Sequence, residues 1–161
     1  MLYYDKFKKE IDMKYILIFL ISLIPTLAFC ETLITCTTQT EHAFFPNMGM
    51  IQKSNAGWMT GNDPGTITVQ KLSDGSYDIL FIDATKSIHS AKENGAQIKL
   101  LWKDDLSTGI SVFYPNHAIE IYNFTKENTG KYVVTILTAT MGSSLIYKSS
   151  VENGICDSSL L

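Results

Sequence analysis

The chain has 161 residues, of which 45% are hydrophobic and 18% charged, and its formal net charge is −3 at pH 7. Its basic residues other than histidine are all lysines, and arginine does not occur. Nucleic acids are bound through clusters of basic side chains that neutralise phosphates. A mildly acidic chain without arginine therefore argues against a nucleic-acid partner.

Residues 1–30 have the pattern of a signal peptide. Lys14 stands before an uncharged apolar run from residue 15 to residue 29, and Ala28 and Cys30 place small residues at the two positions that a signal peptidase reads. The run is too short to span a bilayer comfortably as a helix. We therefore expect a periplasmic or secreted protein with no stable membrane span after the leader is removed.

The start and the cleavage site of the predicted signal peptide each have an alternative interpretation. The residues before Met13 include several carboxylates, which is untypical of a signal peptide, so Met13 is an alternative translation start. We expect cleavage before Glu31, which leaves residues 31–161 as a single domain. The alternative is a lipoprotein anchored at Cys30, although the bulky Phe29 does not suit lipidation.

Removal of the leader leaves two cysteines, Cys36 and Cys156. In an exported chain an even pair is most simply a disulfide, which here would join the two ends of the domain. Two free buried thiols are the alternative. A metal site is not expected, because two isolated cysteines without a neighbouring histidine lack the spacing of metal ligands.

The first strand is predicted from Thr32 to Thr38, where a threonine-rich alternation suits an outer strand. The alternation disappears between residues 41 and 64, and a short strand at residues 49–53 is one interpretation of this segment. A long irregular segment in a small domain is usually functional or hides a missed element. The candidate binding residues, or alternatively a plug for one end of a barrel, are therefore its large aromatics Phe44, Phe45 and Trp58.

Three strands are predicted in the middle of the chain. Thr66–Leu72 and Ser76–Ala84 are joined by Ser73-Asp74-Gly75, which is a good hairpin signal. Ser87–Ala91 follows and ends before Asn94-Gly95, a second hairpin signal.

The remaining strands are predicted to form an antiparallel meander. Apolar and polar residues alternate over residues 96–103, and only Leu101 breaks the pattern. The connections that follow are too short for the crossover that a parallel pair needs. The other strands of the meander are predicted at Ile110–Tyr114, Ala118–Phe124 and Tyr132–Thr140, and the last strand of the chain is predicted from Ser144 to about Val151.

Eight or nine short strands with frequent turns predict an all-β fold, for which we expect an up-and-down β-barrel of about eight strands. Closure of a barrel removes exposed strand edges, and a disulfide between the first and last strands would draw the ends of the sheet together. A small β-sandwich is the alternative, with segment 41–64 as its crossing connection.

Several stretches carry a resemblance that covers the whole chain after the leader, namely Thr32–Cys36, Asp83–Thr85, Ile119–Phe124 and Lys148–Cys156. With the predicted signal peptide, this layout resembles a set of small exported bacterial proteins of uncharacterised function, which implies a periplasmic or secreted location and no activity. The chain is also similar to periplasmic lysozyme inhibitors, which are small antiparallel barrels tied by terminal cysteines. Their lysozyme-binding loop pattern does not occur here, so no residue takes a role from them.

No motif of established chemistry occurs in the sequence. It lacks a nucleophile elbow, a His-Glu-x-x-His zinc motif, a phosphate-binding glycine loop and a paired-cysteine motif. Its three histidines, His42, His89 and His117, are scattered along the chain. We therefore expect no catalytic residue, no cofactor and no metal, and predict that the protein is not an enzyme.

Two classes of function remain. The first is a non-catalytic domain that binds or inhibits another protein through loops or an exposed sheet face. The second is a carrier that encloses a small apolar ligand, with segment 41–64 closing the mouth. About eight strands leave an interior that is either filled or just wide enough for one small ligand. Large residues are predicted at inward positions, such as Ile98, Trp102 and Val112, and they favour an interior that is filled by side chains. We expect the protein to be a monomer.

Overall fold

A computed structural model describes residues 30–62, 64–82 and 85–157, so the predicted signal peptide, apart from Cys30, lies outside the described residues. In these ranges no helix has the length and apolar character needed to pass through a membrane. The prediction of an all-β fold is confirmed. Besides one 3-10 turn at Lys53–Asn55, the regular elements are β1 (Glu31–Phe45), β2 (Gly57–Gly61), β3 (Thr66–Lys71), β4 (Tyr77–Ile82), β5 (Ile88–Ser90), β6 (Gln97–Lys103), β7 (Ser107–Tyr114), β8 (Ala118–Lys126), β9 (Tyr132–Thr140) and β10 (Ser149–Cys156).

All ten strands belong to one antiparallel sheet, which is curled into a half-barrel of nine strands. The order is β5-β4-β3-β1-β10-β9-β8-β7-β6, and β2 pairs with β1 off this path. Strands β6 to β9 are consecutive neighbours, so the predicted meander is confirmed. The first and last strands, β1 and β10, pair with each other in the middle of the sheet.

The half-barrel is not closed by strand pairing, because β5 and β6 are the two edges of the sheet. The prediction of a hairpin at Asn94-Gly95 is therefore wrong, since this turn joins two strands that do not pair. The carboxylate of Asp78 holds the start of the turn by accepting hydrogen bonds from the Ser90 hydroxyl (2.6 Å) and the Lys92 amide (3.1 Å). These bonds direct the chain away from β5, which is only three residues long.

β1 extends to Phe45, whereas the sequence pattern ended it at Thr38. The register between β1 and β10 shifts between Thr38 and Thr40, which makes Gln39 an extra residue in a β-bulge. One extra residue exchanges the inward and outward positions of everything after it, so the alternation could not be followed through this point. The predicted boundary is wrong for that reason.

The short strand in the irregular segment is β2, at Gly57–Gly61, and the prediction of a strand at residues 49–53 is wrong. β2 lies beside the second half of β1, with Trp58 opposite Phe44. Its first residue has φ +118, a conformation that glycine adopts readily, so Gly57 allows the chain to enter the strand from the preceding turn.

The last strand, β10, begins at Ser149, so the predicted bounds Ser144–Val151 are wrong. Its interior contains Gly154, at a place where two backbones approach closely. A Cβ atom on Gly154 would lie 2.8 Å from the Thr37 carbonyl oxygen and 2.9 Å from Val134 Cγ1. This glycine therefore permits close packing of β10 against β1 and is not a turn residue.

The hydrophobic core lies inside the curl. Ile98 and Leu100 pack against it as predicted, but the prediction that Trp102 faces inward is wrong. The register of β6 shifts at Leu101, so Trp102 pairs with Gly109 and its indole occupies the space where a Cβ of that glycine would be. The largest apolar side chains with almost no exposure are Ile34, Val69, Ile79, Ile110, Val112, Phe124 and Val134.

Cys36 and Cys156 form the predicted disulfide, with 120 residues of sequence separation. The two residues stand directly opposite each other where β1 pairs with β10. The bond therefore fixes the register of the strand pair that joins the two halves of the sheet. Cys30 is a free, exposed thiol.

Cys36→Ser and Cys156→Ser should lower the free energy of unfolding equally, because either change removes the same cross-link. A disulfide that closes so long a loop restricts the unfolded chain and thereby adds up to about 4 to 5 kcal/mol to the free energy of unfolding. Denaturant unfolding with and without reductant measures the loss, and Thr37→Ser, at an exposed position next to Cys36, is the matched control that should change little. Reactive thiols at both Cys36 and Cys156 in the oxidised, folded protein would contradict the prediction.

Candidate functional site

The sheet offers two surfaces that could carry a function. Its concave side is filled by the core at one end and opens at the other into a cavity of about 310 Å³, which we call the cup. Its convex side carries an apolar groove, also of about 310 Å³. The cup is lined by Thr38, Glu41, Gly65, Thr66, Ile67, Phe81, Ile82, Tyr114, Ala118, Glu120, Tyr122, Ile136, Thr138, Thr140, Lys148 and Glu152.

Three glutamates enter the cup from neighbouring strands. Glu41 and Glu152 stand directly opposite each other on β1 and β10, and Glu120 lies on β8. Each occupies an inward position because of local alternation: Glu120 precedes the buried Tyr122 by two residues, and Glu41 precedes the buried Ala43 by two. Lys148 supplies the single cationic side chain along the described lining.

The ion pair of the cup joins Lys148 and Glu41, whose Nζ and Oε1 atoms are 2.6 Å apart. Burial alone would raise the pKa of Glu41, but hydrogen bonds from Lys148 and Ser150 outweigh burial and hold this pKa below its usual value. The backbone of Lys148 is fixed in turn, because its amide donates to Thr140 Oγ1 at 2.6 Å. Glu41 therefore stays ionised at neutral pH.

Glu120 has a different environment. Its Oε2 accepts a 2.7 Å hydrogen bond from the hydroxyl of Tyr122. Burial raises the pKa of Glu120, and this hydrogen bond offsets the rise only in part. Burial, followed by the charge of Glu120, raises the pKa of Tyr122 far above its usual value, so the phenol keeps its proton and remains a donor. Burial likewise raises the pKa of Tyr114.

The cup differs from the apolar cavity that an apolar-ligand carrier needs. Placing an apolar molecule over three carboxylates would remove their water without replacing its hydrogen bonds, which is costly. These glutamates were not predicted as site residues from the sequence. The sequence does contain one signal, in Ile119-Glu120-Ile121-Tyr122. Glu120 and Tyr122 are two residues apart, so both point to the same side of a strand whose pattern predicts burial.

The convex side shows a different composition. Two adjacent rows of cross-strand neighbours run over it from β7 to β2, and within these six strands neither row contains Asp, Glu or Lys. We call these two rows the outer face. The first row is Phe113, Ile119, Ala139, Ser149, Phe44 and Trp58, and the second is Ser111, Ile121, Leu137, Val151, His42 and Thr60.

The structure places Phe44 and Trp58 on the outer face, not at the end of the barrel. Trp58 is 75% exposed and Phe44 39% exposed, and their ring centroids are 5.5 Å apart. Phe45 is half-buried and points to the opposite, concave side of the sheet, as Ala43 does two residues earlier. The plug hypothesis therefore does not describe Phe44 and Trp58, which form a ridge beside the apolar groove.

The remaining candidate ligands do not assemble. His42 lies on the outer face, with its Nδ1 atom 3.0 Å from Thr60 Oγ1. His117 lies in the turn before β8 and its Nδ1 atom is 3.2 Å from Ser143 Oγ. Within the part of the chain that the structure describes, no group of three or more His, Cys, Asp or Glu side chains has an arrangement that could hold a metal ion.

Comparisons with protein-family models, with curated proteins and with solved structures found no match to this chain. Arguments about function therefore depend on the two surfaces themselves.

Trp58→Ala should change the free energy of unfolding by less than about 1 kcal/mol, because the side chain is 75% exposed. The matched control is Phe124→Ala, which truncates a fully buried aromatic and should cost about 3 to 5 kcal/mol. Urea unfolding of both variants measures the difference. A loss at Trp58 as large as that at Phe124 would contradict the placement of Trp58 on the surface.

Glu120→Gln should become more stable relative to the wild type as pH rises. The raised pKa means that folded Glu120 holds its proton to a higher pH than the unfolded chain does, so the wild type loses stability from the ordinary pKa of 4.5 upward until the folded pKa is passed. The glutamine still accepts the Tyr122 hydrogen bond but does not titrate. Unfolding free energies between about pH 4 and about pH 7 measure the trend. A pH-independent difference for Glu120→Gln would contradict the prediction.

Proposed function

We propose that the protein is a non-catalytic binding protein whose cup holds a small organic cation, such as an amine. The observation that carries the proposal is the charge of the lining, where Glu41, Glu120 and Glu152 face one cavity with Lys148 as the one described cation. Charges of one sign in a cleft with low-dielectric walls attract a ligand of the opposite sign more strongly than they would on a flat surface.

The contacts within the cup indicate where the cation would be held. Lys148 lies against Glu41, so this ion pair offsets one of the three carboxylates. The hydrogen bond to Glu120 comes from the neutral Tyr122 hydroxyl and brings no positive charge. An ammonium group beside Glu120 would add positive charge to a lining whose described part holds three carboxylates and one lysine. The Tyr114 and Phe81 side chains in the lining would add favourable ring contacts.

The volume of the cup limits the size of the ligand, and the residues that line it favour binding over catalysis. The cup has a volume of about 310 Å³, which lies at the lower end of the range for small-molecule pockets, since that range begins at about 300 Å³. Along the described lining there is no Ser, Cys or His side chain that would form a nucleophile and base pair. The volume and the lining therefore both support reversible binding of a compact ligand.

Recognition of a protein through the outer face is a second candidate function, and the exposure of Trp58 favours it. Exposed tryptophans are over-represented among residues that dominate binding energy. An inhibitor of another exported protein belongs to this class, as the likeness to lysozyme inhibitors suggests. The disulfide is compatible with an oxidising compartment, and we extend the proposal to a periplasmic or secreted location.

The cup is tested by isothermal titration calorimetry with n-butylammonium and its neutral analogue n-butanol. The ammonium should bind and the alcohol should not, because the proposed recognition is electrostatic. Glu120→Gln and Glu152→Gln should each weaken binding at least about tenfold, the effect of removing about 1.4 kcal/mol of charge attraction.

Glu93→Gln removes an exposed carboxylate outside the cup and should leave the affinity unchanged. Equal affinity for the ammonium and the alcohol, or an affinity unaffected by both cup variants, would contradict a cation site. Tighter binding of the alcohol would restore the apolar-ligand hypothesis.

A further inference from the structure

The outer face lacks charge over an area that is unusual for the surface of a small domain. Beyond its two rows, the next row of cross-strand neighbours on the same side also contains no Asp, Glu or Lys; it consists of Gly109, Asn123, Thr135, Asn153 and Thr40. Charged side chains return only at β6, where Lys99 pairs with Ser111. Soluble surfaces normally intersperse both signs of charge.

The apolar side chains of this face remain accessible. Leu137 is 45% exposed and Val151 39% exposed, beside the Trp58 ridge. All the described strands belong to the one sheet, so none of them forms a second layer over the convex side. A contiguous apolar surface of this kind marks an interaction site or an aggregation hazard.

The area fits an interface between two proteins. With about 4.8 Å between strands and about 6.7 Å between rows, the three uncharged rows cover about 550 Å² on one copy and about 1,100 Å² on two, which clears the minimum of about 1,000 Å² for a specific interface. An extended peptide or a small molecule would cover only part of it.

We propose that a second copy of this chain occupies the outer face, which makes the protein a symmetric homodimer in place of the monomer expected from the sequence. The inference rests on the second candidate function, protein recognition by this face, and does not depend on the cup. A foreign partner is normally selected and oriented by complementary charges, and this face offers none. Homodimer interfaces are the more apolar class, depleted in charge at their centre.

The shape of the face is self-complementary, as a twofold interface requires. Trp58 and Phe44 form a ridge at one side, and the groove next to them is floored by Ile121, Leu137 and Val151. A twofold axis through the face places the ridge of each copy in the groove of its partner. The two sheets would then pack face to face, as the layers of a β-sandwich do.

Sedimentation equilibrium of the purified protein tests the proposal, with the protomer mass taken from mass spectrometry. The wild type should sediment as a dimer. Leu137→Asp should raise the dissociation constant at least about 100-fold, because the twofold symmetry introduces each unfavourable change twice. Ser149→Lys should act similarly, since Ser149 is exposed at the centre of the first row and the lysine removes no apolar contact from the protomer.

The matched control is Leu106→Asp, which changes an apolar residue that is 66% exposed in the turn between β6 and β7, outside the face. It should leave the dimer intact, and thermal unfolding verifies that each variant folds. A monomeric wild type, or a dimer insensitive to both Leu137→Asp and Ser149→Lys, would overturn the proposal. A monomer that floats with phosphatidylethanolamine–phosphatidylglycerol vesicles, or that captures a different protein through this face, would overturn it in favour of that occupant. Neither result would bear on cation binding in the cup.

Discussion

The pairing of β1 with β10 is the interaction on which the rest of the sheet depends. On one side of this pair lie β3, β4 and β5, and on the other lies the meander from β9 to β6. The edges β5 and β6 do not pair, so in the described chain strand pairing joins these two parts of the sheet only through β1 and β10. The Cys36–Cys156 disulfide lies in this junction and Gly154 lets its two backbones approach closely. A one-residue shift in the register of this pair would exchange the inward and outward positions of the shifted strand.

Two β-bulges determine which side chains reach which surface. The bulge at Gln39 turns Glu41 into the cup and Phe44 onto the outer face, and the irregularity at Leu101 turns Trp102 outward over Gly109. In each case one residue breaks the alternation, and the side chains beyond it exchange sides. Both surfaces that we connect with function therefore contain residues that an uninterrupted strand would have placed on the opposite side.

The polarity of the half-barrel is partly inverted relative to an ordinary soluble sheet, which is apolar toward its core and polar toward water. Carboxylates line the open end of the interior, and an uncharged apolar face looks outward. The two features occur on the same strands: Ile119 and Ile121 are on the outer face and Glu120 between them is in the cup. An occupant of either surface would contact the same strands from opposite sides, so β8, β9 and β10 are shared by both proposed sites.

The sequence by itself determined the all-β class, the meander from β6 to β9 and the disulfide partners. Each follows from a local signal: alternation, short connections, and an even number of cysteines after the predicted leader. It did not reveal that β1 reaches Phe45, that Trp102 lies outside or that the Asn94-Gly95 turn joins two unpaired edges. Only the tertiary structure decided these points, since a bulge and the choice of a strand's neighbour depend on the register of distant residues. The cup and the outer face were hidden for the same reason. Glu41, Glu120 and Glu152 are far apart in the chain, and they share a cavity only once β1, β10, β9 and β8 lie side by side.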